Sequence, residues 1–427
     1  MIKNKSNGMV FRNVLIIFII LLILGCSLYL IYQNKIYNKK QEEDKKSEQA
    51  REINSYYHKY VKTNKDSDLY ILSDNNYQKI GEIKENEELE LSPGAISSDT
   101  LYFKIKSLEN TYYISYEDID KIDSLSVVND RYRKYIVYNT NIITKNNTRF
   151  YNEKGDMIYT LYKSYELPII IKDNDRYGVE FNNRLLYIKN DDVLSTIDKE
   201  NSSISNTQGI AVLNYHFFYD DNDTKCNQVI CLSKSKFSKH LKYIKDNNIF
   251  TPTLEELEKY IDGKIQLPKS VVITIDDGWM SDIGVTLLEE YKLNGTVFLI
   301  TSWFDKIDFL NNYKYVEYHS HGNNLHNTGV CRGVQGGGIK CLEKDKLLAD
   351  LKTSREKLAG SKYFCYPFYE YNDYSISVLK EAGFTMSFGG SMEGGISRVR
   401  PGIDKFRIPR FVIYRNTSVE NIKAYID

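Results

Sequence analysis

The chain has 427 residues, which is enough for two or three domains that each bury their own core. Its 57 Lys and Arg residues balance its 57 Asp and Glu residues, so the formal net charge is zero. This balance lacks the basic footprint of a nucleic-acid-binding protein, and we predict no nucleic-acid partner.

An apolar segment is the first element that the sequence predicts. Residues 14–32 are almost entirely apolar and come close to the roughly 20 residues that a helix needs to span a bilayer. Three basic residues precede this segment, which favours a cytoplasmic N-terminus and an exported remainder. We therefore predict a membrane anchor over residues 1–34 of a single-pass protein whose larger part lies on the extracellular face of the cell membrane. Cys26 stands where a lipoprotein would be cleaved and lipidated, and that alternative stays open.

A charged segment and a polar segment flank the next part of the chain. Residues 35–64 are dense in Lys, Glu and Gln and contain no Gly or Pro, so they predict a solvated helical stalk. Residues 198–208 are polar and lack periodicity, which is typical of a linker.

Two small β units are predicted between the stalk and the linker. Residues 65–124 and 130–197 contain short alternating apolar patterns separated by Asn, Asp and Gly. The segment Tyr113–Ile119 in the first stretch matches Tyr187–Val193 in the second, which indicates a repeat. Their length and strand density resemble bacterial SH3-like domains, which are often found in cell-wall proteins. Binding to the wall and a mere spacer role are both open.

Strands and helices alternate in residues 209–427, and most of the predicted strands are joined by helical patterns. This arrangement predicts an α/β fold, namely a distorted and incomplete (β/α) barrel. The seven candidate strands are Ile210–Tyr215, Val271–Ile275, Thr296–Thr301, Val316–Ser320, Tyr363–Tyr366, Phe384–Phe388 and Ile408–Ile413.

Two adjacent carboxylates end a buried strand of this barrel. The run Val271–Ile275 is followed directly by Asp276, Asp277 and Gly278. Such a strand end is where barrels of this kind place their active sites. Because the glycine relaxes the strand, both carboxylates can approach one pocket, one as a metal ligand and the other as a free base. An Asp-Asp-Gly turn or a helix N-cap would also explain the pair.

Three of the six histidines fall within one short window, at positions 319, 321 and 326. Two imidazoles and one carboxylate leave coordination positions open for water and substrate, which is the arrangement of a catalytic divalent-metal site. The clustering therefore predicts a metal-dependent hydrolase.

These residues resemble the polysaccharide deacetylase family (carbohydrate esterase family four), and the resemblance covers residues 209–427. Thr274–Gly278 matches its first motif, and Ser320–His326 matches its second motif in a five-residue spacing similar to the branch that deacetylates poly-N-acetylglucosamine. The resemblance implies that Asp276 is the general base. It also implies that Asp277, His321 and His326 bind a divalent metal, with Zn²⁺ expected, and it leaves His319 outside the ligand set.

Two further segments resemble the family. Tyr366–Phe368 is similar to its third motif, in which the backbone N–H of Phe368 would stabilise the oxyanion, although Tyr369 stands where glycine is usual. Arg410 lies in a segment whose last arginine can pair with the base, and an ordinary surface arginine is the open alternative.

The chain departs from many members of the family in the residue that would act as the general acid. The late segment that often carries a catalytic histidine has none here. The poly-N-acetylglucosamine branch instead looks to use a histidine on its first strand. Residues 210–216 resemble that pattern, which implies His216 as the acid. A structural histidine that closes the strand is the alternative.

The resemblance implies an N-deacetylase that removes acetyl groups from N-acetylglucosamine units of a polysaccharide. The expected partners are this polysaccharide, either peptidoglycan or poly-N-acetylglucosamine, the cell wall, and the membrane through the N-terminal helix. A catalytically impaired glycan-binding protein on the same barrel is the alternative function. A glycosidase using the paired carboxylates is a weaker rival, because its histidines would have no role.

The cysteines also allow a prediction. If the chain is exported, the close pairs Cys226/Cys231 and Cys331/Cys341 are the candidates for disulfides. Cys365 lies in an apolar stretch and is expected to be a buried free thiol.

Overall fold

The structure is a computed structural model. It describes residues 24–44, 57–93, 102–106, 111–126, 130–199, 208–223, 226–331, 338–390 and 398–427. The chain divides into two compact units. Unit 1 consists of residues 1–128, 146–164 and 181–184, and unit 2 of residues 129–145, 165–180 and 185–427.

The N-terminal helix contradicts the predicted membrane anchor. Residues 24–44 form an exposed helix, α1, whereas residues 1–23 lie outside the described part of the chain. None of the helices in the described ranges is long and apolar enough to cross a membrane. The second half of α1 carries charged residues such as Lys39, Lys40 and Glu43, which the core of a bilayer disfavours. The prediction of a single-pass membrane protein on the extracellular face of the membrane is therefore wrong.

The predicted stalk and linker are only partly covered. Within the stalk, residues 35–44 are helical as expected and residues 60–63 already belong to a strand, while residues 45–56 lie outside the described part. Most of the predicted linker, residues 200–207, also lies outside it.

Fifteen short strands occupy the described part of residues 57–199, as the alternating apolar patterns predict. They are β1 (Tyr60–Thr63), β2 (Ser67–Ser73), β3 (Asn76–Ile83), β4 (Glu88–Glu90), β5 (Tyr102–Ile105), β6 (Tyr112–Ser115), β7 (Ile119–Lys121), β8 (Thr140–Thr144), β9 (Thr148–Tyr151), β10 (Met157–Leu161), β11 (Glu166–Pro168), β12 (Ile171–Lys172), β13 (Arg176–Phe181), β14 (Arg184–Lys189) and β15 (Val193–Asp198).

Unit 1 contains two antiparallel arrangements of these strands. One has the order β9-β10-β3-β2-β6-β5, and the other has the order β4-β1-β7. The interpretation of residues 65–124 and 130–197 as two separate SH3-like domains is not confirmed, because the second stretch is divided between the two units.

The predicted repeat is nevertheless visible in the local structure. In the first stretch, β6 is followed by a short 3-10 helix, Tyr116–Asp118, and then by β7. In the second stretch, β14 is followed by a 3-10 helix, Asn190–Asp192, and then by β15. The matching segments Tyr113–Ile119 and Tyr187–Val193 therefore form the same succession of elements.

The rest of unit 2 is built on a curled sheet with helices between the strands. Its strands are β16 (Ile210–Tyr215), β17 (Phe217–Tyr219), β18 (Cys231–Ser233), β19 (Val271–Ile275), β20 (Gly295–Leu299), β21 (Val316–Ser320), β22 (Tyr363–Cys365), β23 (Met386–Phe388), β24 (Arg398–Val399) and β25 (Phe411–Val412). Its helices are α2 (Lys234–Asp246), α3 (Leu254–Ile261), α4 (Asp282–Tyr291), α5 (Lys344–Lys357), α6 (Asp373–Glu381) and α7 (Val419–Ile426).

The predicted distorted, incomplete barrel is confirmed by the strand order. Strands β16, β19, β20, β21, β22 and β23 are parallel neighbours in chain order. At one end β25 pairs in parallel with β16, and a short bridge joins Ile408 to Phe388 of β23 at the other end. The segment from residue 408 to residue 412 thus spans the gap between the first and last strands.

Of the six parallel neighbours, all except β21 are buried on both faces, because the helices cover the outside of the curled sheet. Along β16, Ile210 and Val212 belong to the apolar cluster inside the curl. The alternating residues Ala211, Leu213 and Tyr215 belong to the cluster under the helices. This two-sided burial explains the nearly continuous apolar runs of the sequence.

Two disulfides join the cysteine pairs expected from their spacing, Cys226 with Cys231 and Cys331 with Cys341. Cys365 is a free and fully buried thiol, also as predicted.

Candidate active site

The two carboxylates at the end of β19 are separated by a sharp turn. Asp277 has a φ of 69° and Gly278 a φ of 82°. A β-carbon at Gly278 would lie 2.3 Å from a methyl group of Leu299, so only glycine fits there. Because of this turn, Asp276 and Asp277 meet different sets of partners.

Asp276 is held by a buried arginine. The Nη1 and Nη2 atoms of Arg410 donate hydrogen bonds to the two carboxylate oxygens at 2.7 and 2.8 Å. Both side chains are almost fully buried. Burial alone would raise the pKa of Asp276, but the guanidinium overrides it and holds that pKa well below its usual range. Arg410 is therefore not a surface residue.

The buried thiol of Cys365 completes this charged pair. Its Sγ atom lies 3.3 Å from Oδ2 of Asp276 and 3.0 Å from Nη2 of Arg410. Burial raises the pKa of Cys365, which keeps the group a neutral thiol.

Asp277 faces two histidines that follow β21. Its Oδ1 atom lies 3.3 Å from Nε2 of His321 and 3.5 Å from Nε2 of His326. The same oxygen is buried and has no hydrogen-bond partner among the described residues. One atom from each of the three side chains lies within 4.8 Å of the others.

The surroundings of the histidines suit a metal ion. Nδ1 of His321 is 2.8 Å from the carbonyl oxygen of Cys365 and donates to it, so Nε2 is the ring nitrogen that faces Asp277. Burial and the neighbouring His321 lower the pKa of His326, which favours the neutral imidazole that binds metals. The residues therefore fit a divalent cation.

A second grouping of Asp276, His321 and Cys365 also has the spacing of a metal site. We favour the set containing Asp277, because both oxygens of Asp276 already accept hydrogen bonds from Arg410.

His216 lies at the carboxyl end of β16, on the other side of Asp276. Its Nε2 atom is 4.0 Å from Oδ2 of Asp276. Burial lowers the pKa of His216. Its position lets the ring reach a substrate held at the two carboxylates.

The loop after β22 places a backbone donor beside the histidines. Phe368 and Tyr369 both have left-handed backbones, with φ values of 56° and 62°. The Phe368 ring stacks on His326 with centroids 4.1 Å apart. Its N–H has no acceptor within the described ranges, so it can bind a substrate oxygen. The loop thus keeps a conformation that favours glycine even though Tyr369 stands there.

His319, which the sequence set apart from the ligands, has partners of its own. Its Nδ1 atom is 2.8 Å from Oγ of Ser361, and its ring lies edge-to-face against Tyr363. The structure therefore brings together Asp276, Asp277, His216, His321, His326, Phe368 and Arg410, and places His319 with other residues.

Sequence reasoning missed one polar neighbour of the site. Asn214 is fully buried, and its Oδ1 atom accepts a hydrogen bond from the hydroxyl of Tyr369 at 2.7 Å. The available signal was its position two residues before His216, since alternate residues of a strand share a face.

A curled parallel sheet that carries a possible metal-binding group and a buried carboxylate at its carboxyl end is typical of a hydrolase. Residues 264–387 match the model of the polysaccharide deacetylase family, so this region is a polysaccharide deacetylase domain, which is an enzyme domain that acts on amide bonds.

Solved structures similar to this chain include several deacetylases. A de-N-acetylase from Aggregatibacter actinomycetemcomitans is 21% identical with a TM-score of 0.42, and the match covers 51% of this chain and 99% of that chain. IcaB from Ammonifex degensii is 20% identical with a TM-score of 0.43, and the match covers 51% of this chain and 97% of that chain. A polysaccharide deacetylase from Bacillus cereus is 17% identical with a TM-score of 0.41, covering 79% and 99%. Among curated protein sequences, none matches this chain.

Proposed function

We propose that the domain is a metal-dependent N-deacetylase that removes acetyl groups from N-acetylglucosamine units of a polysaccharide. The observation that carries this proposal is the meeting of Asp277, His321 and His326 beside an ionised Asp276 that Arg410 holds in place. The set of one carboxylate and two imidazoles is typical of a catalytic Zn²⁺ site, so we propose Zn²⁺ as the metal.

The residues around this site have distinct tasks in the proposed reaction. Asp277, His321 and His326 would hold the metal, which when bound polarises the acetamide carbonyl and lowers the pKa of a water molecule. Asp276 accepts the proton of the attacking water, and the Phe368 N–H donates to the oxyanion. His216 gives a proton to the sugar nitrogen as the bond to the acetyl carbon breaks. Acetate and a free amine are the products.

Arg410 keeps the base in its reactive form. Because the pKa of Asp276 is held low, the carboxylate stays ionised in a buried site where an unpaired carboxyl group would bind a proton. The two hydrogen bonds also fix the plane of the carboxylate.

Peptidoglycan and poly-N-acetylglucosamine are the two candidate substrates. The five-residue spacing from His321 to His326 supports poly-N-acetylglucosamine, because it resembles that branch of the family. Acetate release from each polymer by the purified chain would decide between them.

The test of the metal mechanism is the isosteric change Asp277→Asn in the full chain. We expect acetate release from N-acetylglucosamine oligomers to fall roughly a thousandfold, because the metal supplies several kcal/mol of transition-state stabilisation. Bound metal measured by elemental analysis should fall as well.

Asp282→Asn is the matched control, because this aspartate is exposed in the first turn of α4 and is not one of the proposed ligands. Wild-type rates in Asp277→Asn, or after complete chelation, would contradict the metal mechanism. Glycan binding without any acetate release by the wild type would instead favour the impaired glycan-binding protein.

A further inference from the structure

Tyr369 occupies a backbone conformation that residues with a β-carbon rarely adopt. Its φ is 62°, directly after Phe368 with a φ of 56°. Such strain persists where surrounding contacts hold the residue in place, and it is concentrated at functional sites. The contacts of Tyr369 therefore indicate its role.

The ring of Tyr369 is clamped on two sides. A β-carbon at Gly390 would lie 3.1 Å from Cγ of Tyr369, so the ring lies directly against that glycine. On another side the guanidinium of Arg410 lies 5.5 Å from the ring centroid. The ring thus touches the arginine that holds Asp276.

The hydroxyl group of Tyr369 contacts Asn214 of β16 and His216, the residue that follows β16. It donates its proton to Oδ1 of Asn214 at 2.7 Å, and it lies 3.4 Å from Nε2 of His216. Because the proton of the hydroxyl is committed to Asn214, its oxygen faces Nε2 with a lone pair and accepts the N–H of the imidazole.

No other group in the described ranges makes a hydrogen bond to the ring of His216. Its Nδ1 atom is buried without a partner, and the nearest charged oxygen, Oδ2 of Asp276, is 4.0 Å from Nε2. The orientation of this imidazole therefore depends on Tyr369.

We propose that Tyr369 is a positioning residue: its hydroxyl oxygen accepts the Nε2–H of His216 and so keeps this edge of the imidazole beside Asp276, where the leaving nitrogen of the substrate takes the proton in place of the hydroxyl oxygen. This inference rests on the proposed function. The C–N bond breaks with its electron pair going to nitrogen, and protonated His216 transfers the Nε2 proton to that nitrogen and becomes neutral. Asp276 takes one proton from water and returns it to His216 before the next turnover, so the protons balance.

The test compares two substrates whose leaving groups differ in their need for a proton. An N-acetylglucosamine oligomer loses a basic amine, whereas 4-nitrophenyl acetate loses a stable phenolate. In the full chain, Tyr369→Phe keeps the ring and removes only the hydroxyl. We expect kcat for the oligomer to fall about tenfold with little change in KM, since one hydrogen bond is lost. The rate with the ester should fall by a much smaller factor.

Tyr371→Phe is the matched control, because its ring stacks on Tyr366 and the same change is made two residues away. In this control both substrates should be hydrolysed at wild-type rates. A second control is a double-mutant cycle with His216→Asn, in which Tyr369→Phe should cost nothing further.

Three outcomes would overturn the inference: an unchanged rate with the oligomer, equal losses with both substrates, or an additive loss in the cycle. Failure of the proposed function is a different result, because the wild type would then release no acetate from the oligomer.

Discussion

Asp276 and Asp277 are adjacent in the chain but meet opposite electrostatic surroundings. One faces the guanidinium of Arg410, and the other faces two imidazoles. A buried ion pair adds little net stability, because desolvation of both charges offsets their attraction. The pairing of Asp276 with Arg410 therefore adds little stability but keeps an ionised carboxylate buried in the proposed site.

A buried histidine outside the proposed site, His240, links the stability of the fold to pH. Burial lowers its pKa from the usual 6.5 to about 4, and the Tyr215 hydroxyl lies 3.2 Å from its Nδ1 atom. Below pH 6.5 the unfolded chain binds a proton that the folded chain does not bind. Stability is therefore lost as the pH falls from about 6.5 to about 4, by about 3 kcal/mol for this group.

His240→Gln should remove this contribution. We expect the free energy of unfolding, measured by denaturant titration, to fall less steeply between pH 6.5 and pH 4 in the variant than in the wild type. At pH 8 His240 is neutral in both the folded and the unfolded chain. The difference in unfolding free energy between wild type and variant at that pH therefore gives the cost of lost packing. Identical slopes in the two proteins would show that His240 does not carry this dependence.

Helix α3 joins the barrel to the segment that precedes it in unit 2. Glu256 forms a capping box with Thr253 at the start of the helix. The same buried carboxylate accepts hydrogen bonds from Nε of Arg131 at 2.8 Å and from the hydroxyl of Tyr135 at 2.7 Å. One side chain therefore supports both a helix end and a contact between distant parts of the chain.

We expect Glu256→Ala to lower the free energy of unfolding by about 3 kcal/mol, because it removes the buried carboxylate that accepts hydrogen bonds from a guanidinium and a hydroxyl. Glu255→Ala is the matched control: this exposed residue forms an ion pair with Lys259 one turn along α3, and its loss should cost about 0.5 kcal/mol. Denaturant titration measures both. Equal effects would show that the buried contacts of Glu256 contribute nothing.

The strands of the barrel were predictable because each one is a short apolar run that ends in polar residues. The bounds of β16, β19 and β21 agree with the sequence. Other strands are shorter than predicted: β25 covers Phe411–Val412 within the expected range of 408–413. The ends of a strand depend on which neighbouring strands supply hydrogen bonds, and the local sequence pattern does not contain that information.

Unit 2 as a whole extends beyond the domain that the sequence predicts. Segments 129–145 and 165–180 belong to it, although residue 209 is the predicted start of the catalytic domain. Tyr132, Ile170 and Ile171 are buried in the same apolar cluster as strands of the barrel.

A protein made of residues 209–427 should therefore be less stable than one made of residues 129–427. Removing the preceding segments exposes apolar surface of the barrel and deletes the backbone bridge between Ile171 and Ile265. We expect a loss of about 4 kcal/mol and a Tm lower by about 10 °C, measured by calorimetry. Equal Tm values for the two proteins would contradict the boundary of unit 2.

The sequence by itself determined the barrel, the two disulfides and the buried Cys365, because each depends on local pattern or spacing. The proposed site residues came from the resemblance to the deacetylase family. The apolar N-terminal run led to a wrong prediction of a membrane span, since none of the helices in the described ranges is long and apolar enough to cross a membrane. Only the tertiary structure decided that Arg410 is buried against Asp276 and that Tyr369 reaches His216. Those contacts join residues 134 and 153 positions apart, and the folding of the barrel alone brings them together.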